Sequence, residues 1–489
     1  MTGPPPQGLR PPPRLALGVR LAYAAGSAAF GMKAVAIGAV MLFYNQVLGL
    51  PSVWVSGAIG LALIVDALAS PVIGQLSDMW RSAWGRRHPF MYASALPAAA
   101  SVWALLNPPG HLERGPLFGW MLGCIICARL SIALFEIPSA SLLPELAPDY
   151  DERTRLAGWR YLFGIIAPVG MIVFALTVLL RPFVDTRGHA LPGQLNPAGY
   201  AGYGTALAGM ILVSILVCAA GTHGQIRRLS RPEPHGTLRD LLATIGGTLL
   251  NRNFLALTLS GVISGIGTGL VGGLGDYFNT YLWELSAKEV SAITGSVGIT
   301  PLVAFLLAPA LGARLGKKRA IISTFALASL FGVMPISLRL LGVLPPNGAP
   351  VILPLLVVDG LFGATLAIVG LVLVTSMMAD IVEDVQAATG RRSEGLLFSA
   401  DTMLKQIVTG IGSMGTGLIL QFVRFPERAI PGHVPAEVLR HLALIYLPIT
   451  AVTSGLAICM IAFYRIDRAS HLSRLASIAR AATSPEPSA

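Results

Sequence analysis

The chain has 489 residues, of which 54% are hydrophobic and 12% charged, whereas a soluble domain carries about a quarter charged residues. This excludes a soluble globular protein, and apolar runs reaching the roughly 20 residues of a membrane-crossing helix exclude a barrel of short alternating strands. The formal charge of +11 would suit a nucleic-acid binder, but the basic residues fall in alternate loops, so they report membrane topology and no nucleic-acid partner.

In chain order, a Pro-rich tail (1–14) precedes twelve apolar spans. They begin near Leu15, Val53, Pro89, Pro116, Ala157, Tyr200, Phe254, Val290, Ala320, Val351, Leu396 and Leu439. The tail has no cleavage site of signal-peptide type, so the first span is expected to be retained. The longest polar interruption, 223–253, splits the chain into six-helix halves at 15–222 and 254–466, followed by a tail at 467–489 that is small and polar from about Ala481. LRDLLATIGGTLL, within that interruption, has the pattern of an amphipathic surface helix, or is only a tether.

Arg81, Arg86 and Arg87, then Arg153 and Arg155, then Arg314, Lys317, Lys318 and Arg319 share one side with both termini. The positive-inside rule makes that side cytoplasmic. The loop GQLSDMWRSAWGRRHPF after the second span and GARLGKKRA after the eighth each set a glycine before basic residues. This internal repeat predicts a substrate site at the midplane between two halves that rock.

Ionisable residues inside the spans are few: Lys33, Asp66, Arg129, Glu136, Asp276, Asp359, Asp401 and Lys405. A charge at bilayer depth costs several kcal/mol, so each faces a cavity or a partner. Arg129 and Glu136 share a helix face at seven apart, as do Asp401 and Lys405 at four. Asp78, ending the second span, can pair with Arg86 and Arg87, which begin the third, to form a conformational gate. Cys124 and Cys127 read as packing, and the histidines lie in loops or at their edges, so no metal site is expected.

Several motifs occur in order along nearly the whole chain. They are FYNQVLGL, D-A-x-x-x-P, SDMWRSAWGRRHPF, EIPSASLLPEL, DERTRLAGWRY, MADIVEDVQAATGRRSEG and TMLKQIVTGIG. Together they resemble the glycoside-pentoside-hexuronide:cation symporters of the major facilitator superfamily, both melibiose permease-like and sucrose transporter-like. The resemblance implies an all-α integral membrane protein of twelve transmembrane helices in two six-helix halves. It also implies a secondary symporter that is not an enzyme, works by alternating access without a cofactor, and moves a glycoside or sugar-like solute with a cation.

Asp66 matches the aspartate that helps bind sodium in the melibiose permease group, together with polar residues three and four positions later and a threonine on helix four. Those positions here are Ala69, Ser70 and Ala133. One carboxylate and one hydroxyl form a thin sodium shell, so H+ is favoured over Na+, with Asp66, Lys33 and Ser70 as coupling residues. A desolvated carboxylate suits proton carriage, while a permanent pair with Lys33 is the structural alternative.

Glu136 stands at the family's sugar-binding acid and Arg160 at its cavity arginine. Thr402, Lys405 and Gln406 occupy the helix-eleven site, with Lys405 one residue before the family's lysine. The helix-one acid has no counterpart, since Phe30 or Ala34 falls there, which speaks against a galactoside. A lysolipid or amphiphile carrier of the same fold is the alternative, and a membrane enzyme or a non-transporting sensor is disfavoured. The expected setting is a bacterial inner membrane, where the protein acts as a monomer with a small-molecule substrate and the lipid bilayer as partners.

Overall fold

The computed structural model describes residues 15–147, 149–226, 252–389 and 394–464. The surface helix expected over 238–250, both tails and residues 390–393 of the MADIVEDVQAATGRRSEG motif lie outside them. Twelve described helices are long and apolar enough to cross a membrane. In the first half these are α1 (Leu17–Val47), α2 (Ser52–Met79), α3 (His88–Leu106), α4 (Arg114–Leu146), α5 (Arg155–Leu179) and α6 (Pro197–His223). In the second half they are α7 (Arg252–Leu282), α8 (Ala287–Leu315), α9 (Lys317–Leu340), α10 (Ile352–Thr389), α11 (Glu394–Phe422) and α12 (Ala436–Ala462). Starts read from the apolar runs agree with these to within a few residues.

The helices pack as two bundles. α1 lies against α5 and α6, and α3 against α4 and α6; α7 lies against α11 and α12, and α9 against α10 and α12. Between the bundles, α2 runs along α11. One addition to the helical reading is a two-residue hairpin between α5 and α6, β1 (Phe183–Val184) and β2 (Ala190–Leu191), pairing Phe183 with Leu191. The Asp185 carboxylate accepts the Arg187 and His189 N–H groups at 2.9 and 2.8 Å, and Gly188 takes the left-handed backbone (φ +88°) that closes the turn.

The repeat is visible in backbone detail. α1 and α7 both end in a π-helical turn, Phe43–Val47 and Phe278–Leu282. In each, the residue five past the first aromatic bonds back to it: Leu48 N to Phe43 O at 3.0 Å, and Trp283 N to Phe278 O at 2.9 Å. A left-handed residue follows in both, Gly49 (φ +80°) and Glu284 (φ +51°). Gly85 (φ +75°) before Arg86 and Arg87 corresponds to Gly316 (φ +77°) before Lys317 and Lys318. The glycine-then-cations motif is therefore one turn used twice, because only glycine adopts that backbone without strain.

We call the side with the α1–α2 and α7–α8 connections the seam face, and the opposite side the basic face. Among the described residues, the hydrogen bonds joining the bundles run from the seam face to mid-membrane. Tyr277 and Tyr281 of α7 donate to Asn45 Oδ1 and Gln46 Oε1 of α1 at 2.6 and 3.0 Å, and Arg428 donates to Leu48 O at 2.7 Å. Ser52 and Ser56 of α2 donate to Gly417 O and Met414 O of α11, each at 3.0 Å. A Cβ on Gly60 would meet Gly410 O at 2.3 Å, and one on Gly417 would meet Ser52 O at 2.3 Å. Without apolar solvent exclusion to drive association in lipid, such backbone approach through small residues is what packs the helices.

Candidate functional site

Four of the polar residues singled out in the sequence converge at one depth. Counted from the seam-face end of each span, Lys33 (from Val47) and Asp66 (from Ser52) are 14 residues in, Arg129 (from Arg114) is 15 and Gln406 (from Phe422) is 16. At about 1.5 Å per residue that is mid-membrane. α1, α2, α4 and α11 each contribute one of them.

Asp66 is 3% exposed. Its Oδ2 accepts from Arg129 Nη1 at 3.0 Å and from Gln406 Nε2 at 2.9 Å, with Lys33 Nζ at 3.9 Å. Lys33 is nearer to Glu136 Oε2, at 3.1 Å, and lies over the Phe30 ring. Two cations and two carboxylates thus compensate one another. On the shared face of helix four, Arg129 turns to Asp66 and Glu136 turns to Lys33. Seven residues are two turns of the helix, so Arg129 and Glu136 sit about 10 Å apart along the axis. Neighbouring helices can approach each more closely than they approach one another.

The Ser70 hydroxyl donates to the Asp66 backbone carbonyl at 2.7 Å. Ala69 and Ala133, at two of the melibiose permease pattern's sodium-ligand positions, carry no side-chain oxygen. Arg160 belongs to a neighbouring cluster. It donates to Tyr23 Oη at 2.6 Å, Ser27 Oγ at 3.2 Å and Ser139 O at 3.3 Å, and stacks on the Tyr23 ring.

The helix-eleven residues line a cavity of about 370 Å³, within the size range of small-ligand sites. Asp401, Thr402, Lys405 and Gln406 face Val374, Thr375 and Met378 of α10 across it. Lys405 Nζ pairs with Asp401 Oδ2 at 2.6 Å, as the four-residue spacing predicts, and Thr258 donates to Asp401 Oδ1 at 3.1 Å. The stem of Lys405 crosses α7 at Gly261, where a Cβ would meet its Cε at 1.9 Å. Gln406 links this cavity to Asp66, so the residue at the family's lysine position bridges the halves.

At the basic face Asp78, Arg86 and Arg87 come together, with Glu145 at their centre. Glu145 Oε1 bonds Arg86 Nη2 and lies 2.8 Å from Arg87 Nη1, while Asp78 Oδ1 is 3.4 Å from Arg87 Nη2. Burial lowers the Arg87 pKa from its ordinary value, and the Glu145 charge acts in the opposite direction. In the second half, Lys317 bonds both oxygens of Asp380 at 2.8 and 2.7 Å. Glu145 escaped the sequence reading, although it stands in EIPSASLLPEL and the repeat supplies its counterpart, Asp380.

The family model described as MFS/sugar transport protein matches residues 22–468. An uncharacterized symporter of Synechocystis sp., sll1374, is 23% identical over 92% of this chain and 94% of its own. The putative glycoside/cation symporter YagG of Escherichia coli is 24% identical over 87% of each chain. The solved D-xylose-proton symporter superposes with a TM-score of 0.60 at 14% identity, covering 90% of this chain and 96% of its own. A bacterial ferroportin homologue in its inward-facing state gives 0.62 at 14% identity, over 91% and 100%.

Proposed function

The chain belongs to the MFS/sugar transport protein family and is a multi-pass secondary transporter, and from that premise we propose that it moves a glycoside or related sugar-like solute together with a proton. The observation that carries this reading is the Asp66 carboxylate, held at once by Arg129 in its own half and by Gln406 of the other half. Protonating Asp66 removes the charge that both donors share. That loosens the α2–α11 link beside the cavity and couples a proton to movement of the halves. Positions 69 and 133 bring no side-chain oxygen that a sodium ion would need to replace its hydration shell, which favours the proton.

The solute sits between the Asp401–Lys405 pair and Gln406 on one side and Glu136 and Arg160 on the other. Carboxylates that accept hydroxyl donors, and amide and guanidinium groups that donate in return, suit a polyhydroxylated ligand. With the basic face cytoplasmic by the positive-inside rule, the halves are joined at the outer side and the conformation is inward-facing.

The test is uptake of radiolabelled glycosides, mono- and disaccharides and a lysolipid into proteoliposomes under imposed pH or sodium gradients. The reading expects sugar or glycoside accumulation driven by the pH gradient and lost in Asp66→Asn. Accumulation that needs sodium and ignores pH overturns the proton, and gradient-independent lysolipid movement overturns the solute class.

A further inference from the structure

Outside the network around Asp66 stands a carboxylate of the second half that no ion pair among the described residues uses. Asp359 stands seven residues inside the seam-face end of α10 (Ile352), roughly 10 Å into the span. Its Oδ1 is buried and has no hydrogen-bond partner. Tyr446 of α12 lies within electrostatic reach of Asp359. The Tyr446 hydroxyl reaches Gly332 O of α9 at 3.4 Å, and its ring packs edge-on against Phe278 of α7. One turn along α12, Thr450 Oγ1 is a second buried polar atom, beside the Tyr446 hydroxyl.

Among the described residues no cation compensates Asp359. α8 presents Ile293 and Val297 to the adjacent Gly360, and α9 presents Phe331 to Phe362 and Gly363. Lys288 of α8 and Arg440 and His441 of α12 are exposed at the seam-face ends of their helices, and other charged groups nearby are engaged elsewhere. Arg339 of α9 turns to Pro345 O, Asn347 and the Trp283 ring. Lys317 pairs with Asp380, Lys405 with Asp401, and Glu289 caps α8 through Ser286.

We propose that Asp359, with Tyr446 and Thr450, forms a second proton-binding site, in the C-terminal half and separate from Asp66. An uncompensated carboxylate at bilayer depth costs several kcal/mol, and a bound proton removes that cost. The acid then gains a donor that can use the neighbouring hydroxyl oxygens. An alkali ion would need several oxygens to replace its hydration shell, whereas a single proton needs only the carboxylate itself. Asp66, compensated by Arg129 and Lys33, does not share this need, so the site stands whichever ion couples to transport.

Infrared difference spectroscopy across a pH titration of the purified full chain, in sodium-free buffer without substrate, reads the site directly. The expected spectrum has a protonated-carboxyl C=O band that is lost in Asp359→Asn, retained in Asp66→Asn and shifted in Asp359→Glu and Thr450→Val. A band unchanged in Asp359→Asn overturns the proposal. If the Asn variant does not fold, Asp359→Glu carries the test, since an unmoved band then overturns it equally. Sodium chloride, compared with choline chloride at fixed pH, is the remaining arm: displacement of the band by sodium alone overturns the proton assignment in favour of an alkali-ion site.

Discussion

Gln406 Nε2 donates to Asp66 Oδ2 at 2.9 Å, tying α11 of one half to α2 of the other in the middle of the membrane. The same carboxylate oxygen takes the Arg129 guanidinium. One acid therefore serves as ion-pair partner within its half and as hydrogen-bond acceptor between halves.

Removing that acid should cost more than removing the pair. Breaking a buried ion pair by deleting one partner costs about 3–5 kcal/mol, whereas replacing both can be nearly neutral. Asp66→Asn is expected to lower the melting temperature in detergent, and Asp66→Asn with Arg129→Gln to recover most of the loss. Uptake should stay absent in both. A double variant no more stable than the single one would show that Arg129 is not the principal partner.

The seam admits no side chain at Gly60, where an added Cβ would lie 2.3 Å from Gly410 O. Gly60→Ala should push α2 and α11 apart on the seam face and shift the population toward the state open there. Spin labels on Gly110→Cys and Pro346→Cys, in loops on that face of opposite halves, would report a longer distance by pulsed electron resonance in the alanine background. An unchanged distance distribution contradicts the steric account.

The two basic-face pairs differ in burial and so in consequence. Arg86 and Arg87 are 14% and 7% exposed where they meet Glu145, whereas Lys317 is 37% exposed against Asp380. Attraction is screened more at the wetter pair, and a stranded charge there is more easily hydrated. Glu145→Gln should therefore lower thermal stability well beyond Asp380→Asn. Equal losses would show that burial does not set the difference.

The hairpin between α5 and α6 should respond to acid. The His189 backbone N–H foremost, then the His189 side chain and the Arg187 N–H, holds the Asp185 carboxyl below the usual carboxylate range. A depressed folded value means stability that is present above the unfolded value and lost as pH falls through the folded one. Protection factors of the Arg187 and His189 amides, corrected for intrinsic exchange, should drop below about pH 4, near the unperturbed Asp value. In Asp185→Asn they should be independent of pH over that range.

What the sequence determined by itself is the part set by local, one-dimensional properties. Twelve spans follow from runs of apolar residues, because lipid leaves the helix as the way to satisfy such a backbone. The repeat follows from a glycine placed before paired cations, because Gly85 and Gly316 need the same left-handed turn. Asp401 with Lys405 was legible for the same reason: four residues is one turn of one helix.

The tertiary structure decided which charges meet. Lys33, Asp66, Arg129 and Glu136 could all be singled out as costly in lipid, and equal depth could have been counted from span ends. Depth alone does not say which helix faces which. Packing of α2 between α4 and α11 gives Asp66 to Arg129 and Gln406, packing of α1 against α4 gives Glu136 to Lys33, and the fold of α4 back onto the α2–α3 turn brings Glu145 to Arg86 and Arg87. An ion pair at bilayer depth depends on a few ångströms between separate helices, and only the packed bundle sets that distance.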